Sequence, residues 1–268
     1  MISFIYVVLW ALFTYLMSFY VLGGFWIILW FILGAVASFL GTVLIILAHF
    51  PYMKYTKFSN RYKYYLSRST SHWLIIFFMR LKIEIKGKEN IPQEGPLCVY
   101  ANHKSYADPF IVFEFMRRPT TFTPKMSVYK APLIGLWLKY LGAFPIDRSS
   151  DRNTARAMVD AIKVIKDGMA MAIFPEGGIK DRNDEKMVAM RAGAYRVAMK
   201  AGADLLPVSI QGTTLIKHRA PWRRTKIQVL IHPVVKYDSI KEKTTSEVAD
   251  LMFHIINDKL IQENHKAQ

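Results

Sequence analysis

His103 and Asp108 stand five residues apart, just after a short apolar run, Leu97–Ala101. These two residue types are the minimum machinery for taking a proton from an alcohol. The carboxylate fixes the imidazole tautomer through one ring nitrogen and stabilises the imidazolium once it forms; the other nitrogen is then the base. Spacing alone is not diagnostic. A chain of 268 residues with seven His and eleven Asp contains about 0.3 such pairs by chance. Ser105-x-x-Asp108 also has the form of a capping box, and Asp108-Pro109 that of a helix start. A second segment with chemical content is Phe174-Pro175-Glu176-Gly177-Gly178. Here Pro fixes a turn, the glycines permit close backbone approach, and Glu176 supplies a carboxylate. An ordinary tight turn has the same composition.

Both segments follow apolar runs that read as buried strands, 97–101 and 169–174. Further strands are expected at 205–210 and 227–235. Helices are expected from 108, over 155–165 (Ala155, Met158, Val159, Ile162, Ile165, with Gly168 as a stop), over 191–200 closed by Gly202, and around Val248, Leu251, Met252 and Ile255. Residues 180–186 read as a polar surface loop. This alternation defines an α/β domain with a mixed, largely parallel sheet flanked by helices. In such sheets ligands gather beyond the carboxyl ends of the strands, where both segments fall.

The chain carries a net charge of +16 yet is 52% hydrophobic. The two figures are reconciled by position, because residues 2–48 hold no charged side chain. Residues 2–22 and 25–48 would extend about 31 and 36 Å as helices, against a hydrocarbon core of about 30 Å. Gly23-Gly24 offers the reversal between them, so a two-helix membrane hairpin is expected over 1–50. A secretory signal is not expected, since the start has no basic n-region and the apolar stretch is too long. Gly34, Ser38 and Gly41 share one helix face and Ala11, Thr14 and Ser18 another, spacings that let helices approach closely in lipid.

Residues 51–82 read as a basic, aromatic interfacial segment. Lys54, Lys57, Arg61, Lys63, Arg68, Arg80 and Lys82 are interleaved with Tyr52, Tyr55, Tyr62, Tyr64, Tyr65 and Trp73, and no acid intervenes. The positive-inside rule then puts residues 83–268, the α/β domain, on the cytoplasmic face of the cell membrane. Nucleic acid is not the expected partner, because no zinc-finger spacing or RNP-like motif accompanies the charge. The single cysteine, Cys98, excludes an intrachain disulfide and reads as a core thiol.

Taken in order, four blocks resemble the 1-acyl-sn-glycerol-3-phosphate acyltransferase (lysophosphatidic acid acyltransferase) family. They are Asn102-His103-x4-Asp108; Lys125 through Pro132, Gly135 and Gly142 to Ile146-Asp147-Arg148; Phe174-Pro175-Glu176-Gly177; and Leu206-Pro207-Val208. The likeness runs from about 82 to 235 and includes Arg191-Ala192-Gly193. The chain departs from the pattern at Gly178-Ile179, where the family continues Thr-Arg, and at Ser127, where a Glu is frequent. These departures bear on headgroup selectivity rather than on reaction class.

The resemblance implies that His103 is the general base and Asp108 its orienting partner. It places Asn102, Lys125, Arg148, Glu176, Gly177, Gly178 and Pro207 around the substrates: Lys125 and Arg148 toward the phosphate, Glu176 and Gly177 toward the glycerol, Pro207 toward the acyl-donor path. It implies acyl transfer to 1-acyl-glycerol-3-phosphate from acyl-CoA or acyl carrier protein as co-substrate, with no metal and no other cofactor. Glycerol-3-phosphate or another lysolipid as acceptor is the alternative within the class. A catalytically dead, membrane-anchored binding protein is the alternative outside it.

Overall fold

The computed structural model describes residues 1–145, 151–179, 184–188 and 190–264, with side chains at all of these except 151–154 and 261–264. The chain opens with two long helices, α1 (Ile2–Tyr20) and α2 (Ile27–Ala48). Each is long and apolar enough to cross a membrane. They pack as a hairpin through the small-residue face of α2, where Gly34, Ser38 and Thr42 are buried. A Cβ at Gly34 would meet Thr14 Oγ1 and Trp10 at 2.9 Å, so only Gly allows this approach. The α1 side follows expectation in part: Thr14 faces Gly34, but Ala11 is exposed, and Trp10 and Phe13 complete the contact.

Next come α3 (Phe50–Tyr55), α4 (Arg61–Trp73) and a π turn, Leu74–Phe78. Asn60 caps α4 by accepting from the backbone N–H of Tyr62 and Lys63. Part of this segment belongs to the core rather than to a headgroup layer. Lys63, Tyr64 and Trp73 are buried. The Lys63 ammonium donates to the carbonyls of Thr56 and Tyr140 at 2.8 and 3.0 Å. The reason is amphipathicity: one face of α4 has two surfaces to cover, the sheet layer and the base of the hairpin. The hairpin is seated there by Ile2 N–H donating to Ser69 Oγ and by Tyr6 packing on Trp73 and Phe77.

The domain continues through β1 (Leu81–Lys86), β2 (Leu97–Ala101), α5 (Asp108–Phe115), β3 (Thr120–Phe122), α6 (Met126–Tyr129), α7 (Ile134–Tyr140), α8 (Asp151–Lys166) and β4 (Ala170–Ile173). It closes with α9 (Arg196–Ala201), β5 (Asp204–Gln211), β6 (Thr225–Ile231) and α10 (Thr245–Asn264). The described strands form one sheet in the order β1-β6-β5-β2-β4-β3. β2, β3, β4 and β5 run parallel, and β6 reverses against β5.

Alternation along the central strands builds a core on each face. Leu97, Val99 and Ala101 of β2 join Trp73, Ile111 and Phe115 on one side; Cys98 and Tyr100 join Tyr195, Met252 and Ile256 on the other. Two sequence expectations shift in detail. Val159 of α8 is exposed, while Ala161, Val164 and Ile165 are buried. The last strand ends at Ile231, before Pro233, and Val235 makes only an isolated bridge to Leu205.

One topological fact organises everything that follows. The carboxyl ends of β2, β3, β4 and β5 and the starts of β1 and β6 share one edge of the sheet. The π turn and the seat of the hairpin lie just ahead of β1 at that same edge.

Candidate active site

Beyond Ala101 the chain turns sharply and runs into α5. His103 Nδ1 lies 2.9 Å from Asp108 Oδ2. The same carboxylate oxygen accepts the backbone N–H of Lys104 and of Ser105, each at 2.8 Å. Asp108 is fully buried in the first turn of α5, followed by Pro109. Asp108 thus stands at the helix start, and the oxygen that accepts from Lys104 and Ser105 is also the one that faces the imidazole. A carboxylate held by two backbone donors cannot swing, so it sets the imidazole with Nδ1–H toward Asp108 and Nε2 free as an acceptor. The His103 ring stacks on Phe174, with centroids 4.2 Å apart and planes 19° apart. Its side chain remains 15% exposed.

β4 supplies the second wall. Phe174 to Gly177 is a tight turn, with Gly177 N–H donating to the Phe174 carbonyl at 3.0 Å. Gly177 and Gly178 have φ of +72° and +145°, backbone that favours glycine. Glu176, between them and Pro175, is fully buried. Its Oε1 accepts the His103 N–H at 2.8 Å, and its Oε2 meets the Lys104 ammonium at 3.4 Å. Lys104 is also buried. Both Glu176 oxygens are thus engaged inside the protein.

Asn102 is engaged in the same way. Its amide donates to the Ile210 carbonyl at 2.7 Å and accepts the Ile210 N–H at 2.8 Å, clasping the end of β2 to β5. Pro207 is buried within β5, in register with Tyr100, and its carbonyl accepts from His232. Lys125 is exposed beyond the end of β3, two strands from His103, where it precedes α6. Arg148, with Ile146 and Asp147, lies outside the described residues. Gly135 and Gly142 of the second block are structural. A Cβ at Gly135 would stand 2.1 Å from the Tyr129 carbonyl oxygen, and one at Gly142 2.9 Å from the Phe58 ring.

Three residues near the His103 turn have no role assigned from the sequence. Lys104 carries no local sign that it is buried opposite Glu176. Phe174 looks like one more strand residue, although its place just before Pro175 marks it as the end of the strand. Glu185 falls in the stretch expected to be a surface loop, yet it is buried. Its Oε1 accepts from Gly212 N–H at 2.8 Å and from both the N–H and the hydroxyl of Thr214. Burial raises its carboxyl above the ordinary value, against the lowering by these bonds, and the Asp108 charge adds a further rise.

Comparison with known proteins gives the family and the fold. Residues 82–211 match the family model described as Acyltransferase. A 1-acyl-sn-glycerol-3-phosphate acyltransferase of Borreliella burgdorferi is 30% identical over 176 residues, which are 63% of this chain and 70% of that protein. The chloroplastic 1-acyl-sn-glycerol-3-phosphate acyltransferase LPAT1 of Arabidopsis thaliana is 25% identical over 82% of this chain and 62% of its own length. Among solved structures, the 1-acyl-sn-glycerophosphate (LPA) acyltransferase PlsC of Thermotoga maritima superposes with a TM-score of 0.61 at 26% identity, over 77% of this chain and 79% of that one. The chain belongs to the 1-acyl-sn-glycerol-3-phosphate acyltransferase family.

Proposed function

We propose that this protein transfers a fatty acyl group from a thioester donor, acyl-CoA or acyl carrier protein, to the sn-2 hydroxyl of 1-acyl-glycerol-3-phosphate, giving phosphatidic acid. The observation that carries the reading is the His103–Asp108 bond at the carboxyl edge of the sheet, in a chain of this family. In the reaction, His103 Nε2 takes the hydroxyl proton as the oxygen attacks the thioester carbonyl. The imidazolium is stabilised by Asp108. The tetrahedral adduct then expels the thiolate, which recovers the proton from His103, so imidazole and carboxylate end as they began.

Glu176, Lys104 and Asn102 hold the histidine turn in place, on this reading, by the bonds described. Gly177 and Gly178, whose positive φ shapes the turn after β4, border the acceptor. Lys125 and Arg148 meet its phosphate, where charge-assisted bonds are strongest, and Pro207 borders the donor path. The apolar hairpin enters the bilayer with the domain on its cytoplasmic face, following the excess of Lys and Arg after α2.

The test is acceptor competition with purified protein in detergent micelles. Offered lysophosphatidic acid and glycerol-3-phosphate together, the enzyme should release thiol faster with the former. Equal or faster release with glycerol-3-phosphate defeats the proposed acceptor. Running the assay with acyl-CoA and with acyl carrier protein in turn identifies the donor.

A further inference from the structure

Resting on the reading of a membrane-bound acyltransferase, we infer that the β5–β6 connection, residues 212–224, together with the start of β6 is a second membrane-contact surface that takes anionic lipid headgroups. Its position comes from topology. β5 delivers the chain to the same edge as His103, and β6 departs from that edge. Glu185 and Thr214 fasten the start of the connection beside the site. Further along, the Arg219 guanidinium donates to the Met79 carbonyl, directly after the π turn. The Phe77 and Phe78 rings of that turn contact Tyr6 of the hairpin. The connection therefore stands next to the base of the apolar helices, although it lies far from them in sequence.

Its side chains suit a headgroup layer. Lys217, Arg219, Arg223, Arg224 and Lys226 fall within fifteen residues, and no Asp or Glu occurs from 205 to 237. Lys226 pairs with Glu84 at 3.1 Å, and the others have no acid in their own segment to meet. Trp222 is 73% exposed and Leu215 57% exposed. These two share a shallow surface pocket with His218, Arg219 and Arg223. Ile76 and Phe78 on the π turn are exposed as well. An indole and aliphatic side chains among clustered cations make up the side-chain set of an interfacial anchor. Guanidinium groups bind phosphate oxygens in bidentate fashion. A soluble phosphate-bearing donor would also meet the cations. The apolar members, and their continuity with the exposed hairpin, favour a lipid surface.

The experiment uses the full chain with Lys217→Gln, Trp222→Ser, Arg223→Gln and Arg224→Gln combined; Arg219 is left intact because it ties the segment to Met79. In detergent micelles the variant should match its parent within about twofold, since no reacting group is touched. On vesicles containing roughly one-third phosphatidylglycerol, the parent should run at least about fivefold faster than on pure phosphatidylcholine, a gain that high salt removes. The variant should show no such gain while still floating with vesicles through its hairpin. Separately, Trp222→Phe should reduce the share of tryptophan fluorescence quenched by brominated phosphatidylcholine. An undiminished response to phosphatidylglycerol overturns the proposal. So does a raised KM for acyl-CoA in micelles with the lipid response intact, which would assign the surface to the donor. A parent inactive in every assay would instead sink the proposed function, and the quenching measurement would still decide the surface.

Discussion

The backbone N–H of His103 donates to Glu176 Oε1 at 2.8 Å, joining the ends of β2 and β4 across the reacting edge. With Lys104 on its other oxygen, Glu176 braces the turn that carries the His103 imidazole, the base of the proposed reaction. Glu176→Gln keeps an oxygen for the His103 N–H but sets an amide against the Lys104 ammonium. The expected result is a fall in kcat of about tenfold or more with KM for the acceptor little changed, the pattern of lost positioning. A change confined to KM would show that the carboxylate touches the acceptor directly. Glu176→Ala takes the partner from the His103 N–H and from the buried Lys104 ammonium together, so it should unfold at clearly lower temperature. Breaking a buried pair typically costs about 3–5 kcal/mol.

His103→Ala should lower turnover by about 10²–10⁴ without changing vesicle flotation. Asp108→Asn should fall in the same range, because an amide does not stabilise the imidazolium as a carboxylate does. Steady-state thiol release checks both. A variant that also leaves the membrane would identify the residue as structural.

Gly135→Ala should destabilise the domain by about 1–3 kcal/mol, as overpacking does. The neighbour its Cβ would meet is backbone, the Tyr129 carbonyl, which cannot rotate out of the way. Thermal unfolding in detergent is the measurement.

His232 gives the domain an acid sensitivity. The ring is buried, and its Nε2–H faces Ser209 Oγ at 2.7 Å, whose own proton goes to the Ile256 carbonyl. Burial, with a contribution from the Lys259 charge, lowers its pKa to about 4. The unfolded ring takes up a proton near its ordinary pKa of about 6.5. Between these values the unfolded state binds more protons, so stability is complete above about pH 6.5 and is lost as pH falls toward 4. Thermal midpoints measured across that window should fall less steeply for His232→Gln, which keeps a donor for Ser209, than for the parent.

Much of this was legible in the sequence, for identifiable reasons. Buried parallel strands such as β2 and β4 announce themselves as apolar runs. The His103–Asp108 spacing survives because it lies within one turn of chain. Residues that act across strands were not legible. Glu176 looks available to a substrate until the His103 N–H and the Lys104 ammonium are seen to occupy it. Glu185 sits in a polar run, and nothing local shows that it is buried against Gly212 and Thr214, just beyond β5. Lys63 and Trp73 carry the composition of an interfacial segment but face inward, because composition does not say which side of α4 meets the core.

The seat of the hairpin has a mechanical consequence. α1 is fastened to α4 by Ile2 and Tyr6, and α4 is fastened to α5 by His72 against Glu114 at 2.8 Å. The first turn of α5 carries Asp108. With α1 and α2 embedded, the depth at which the imidazole rides is inherited from the anchor through these two contacts. On the proposed function, the catalytic group is mounted on its float and does not swing beneath it on a tether.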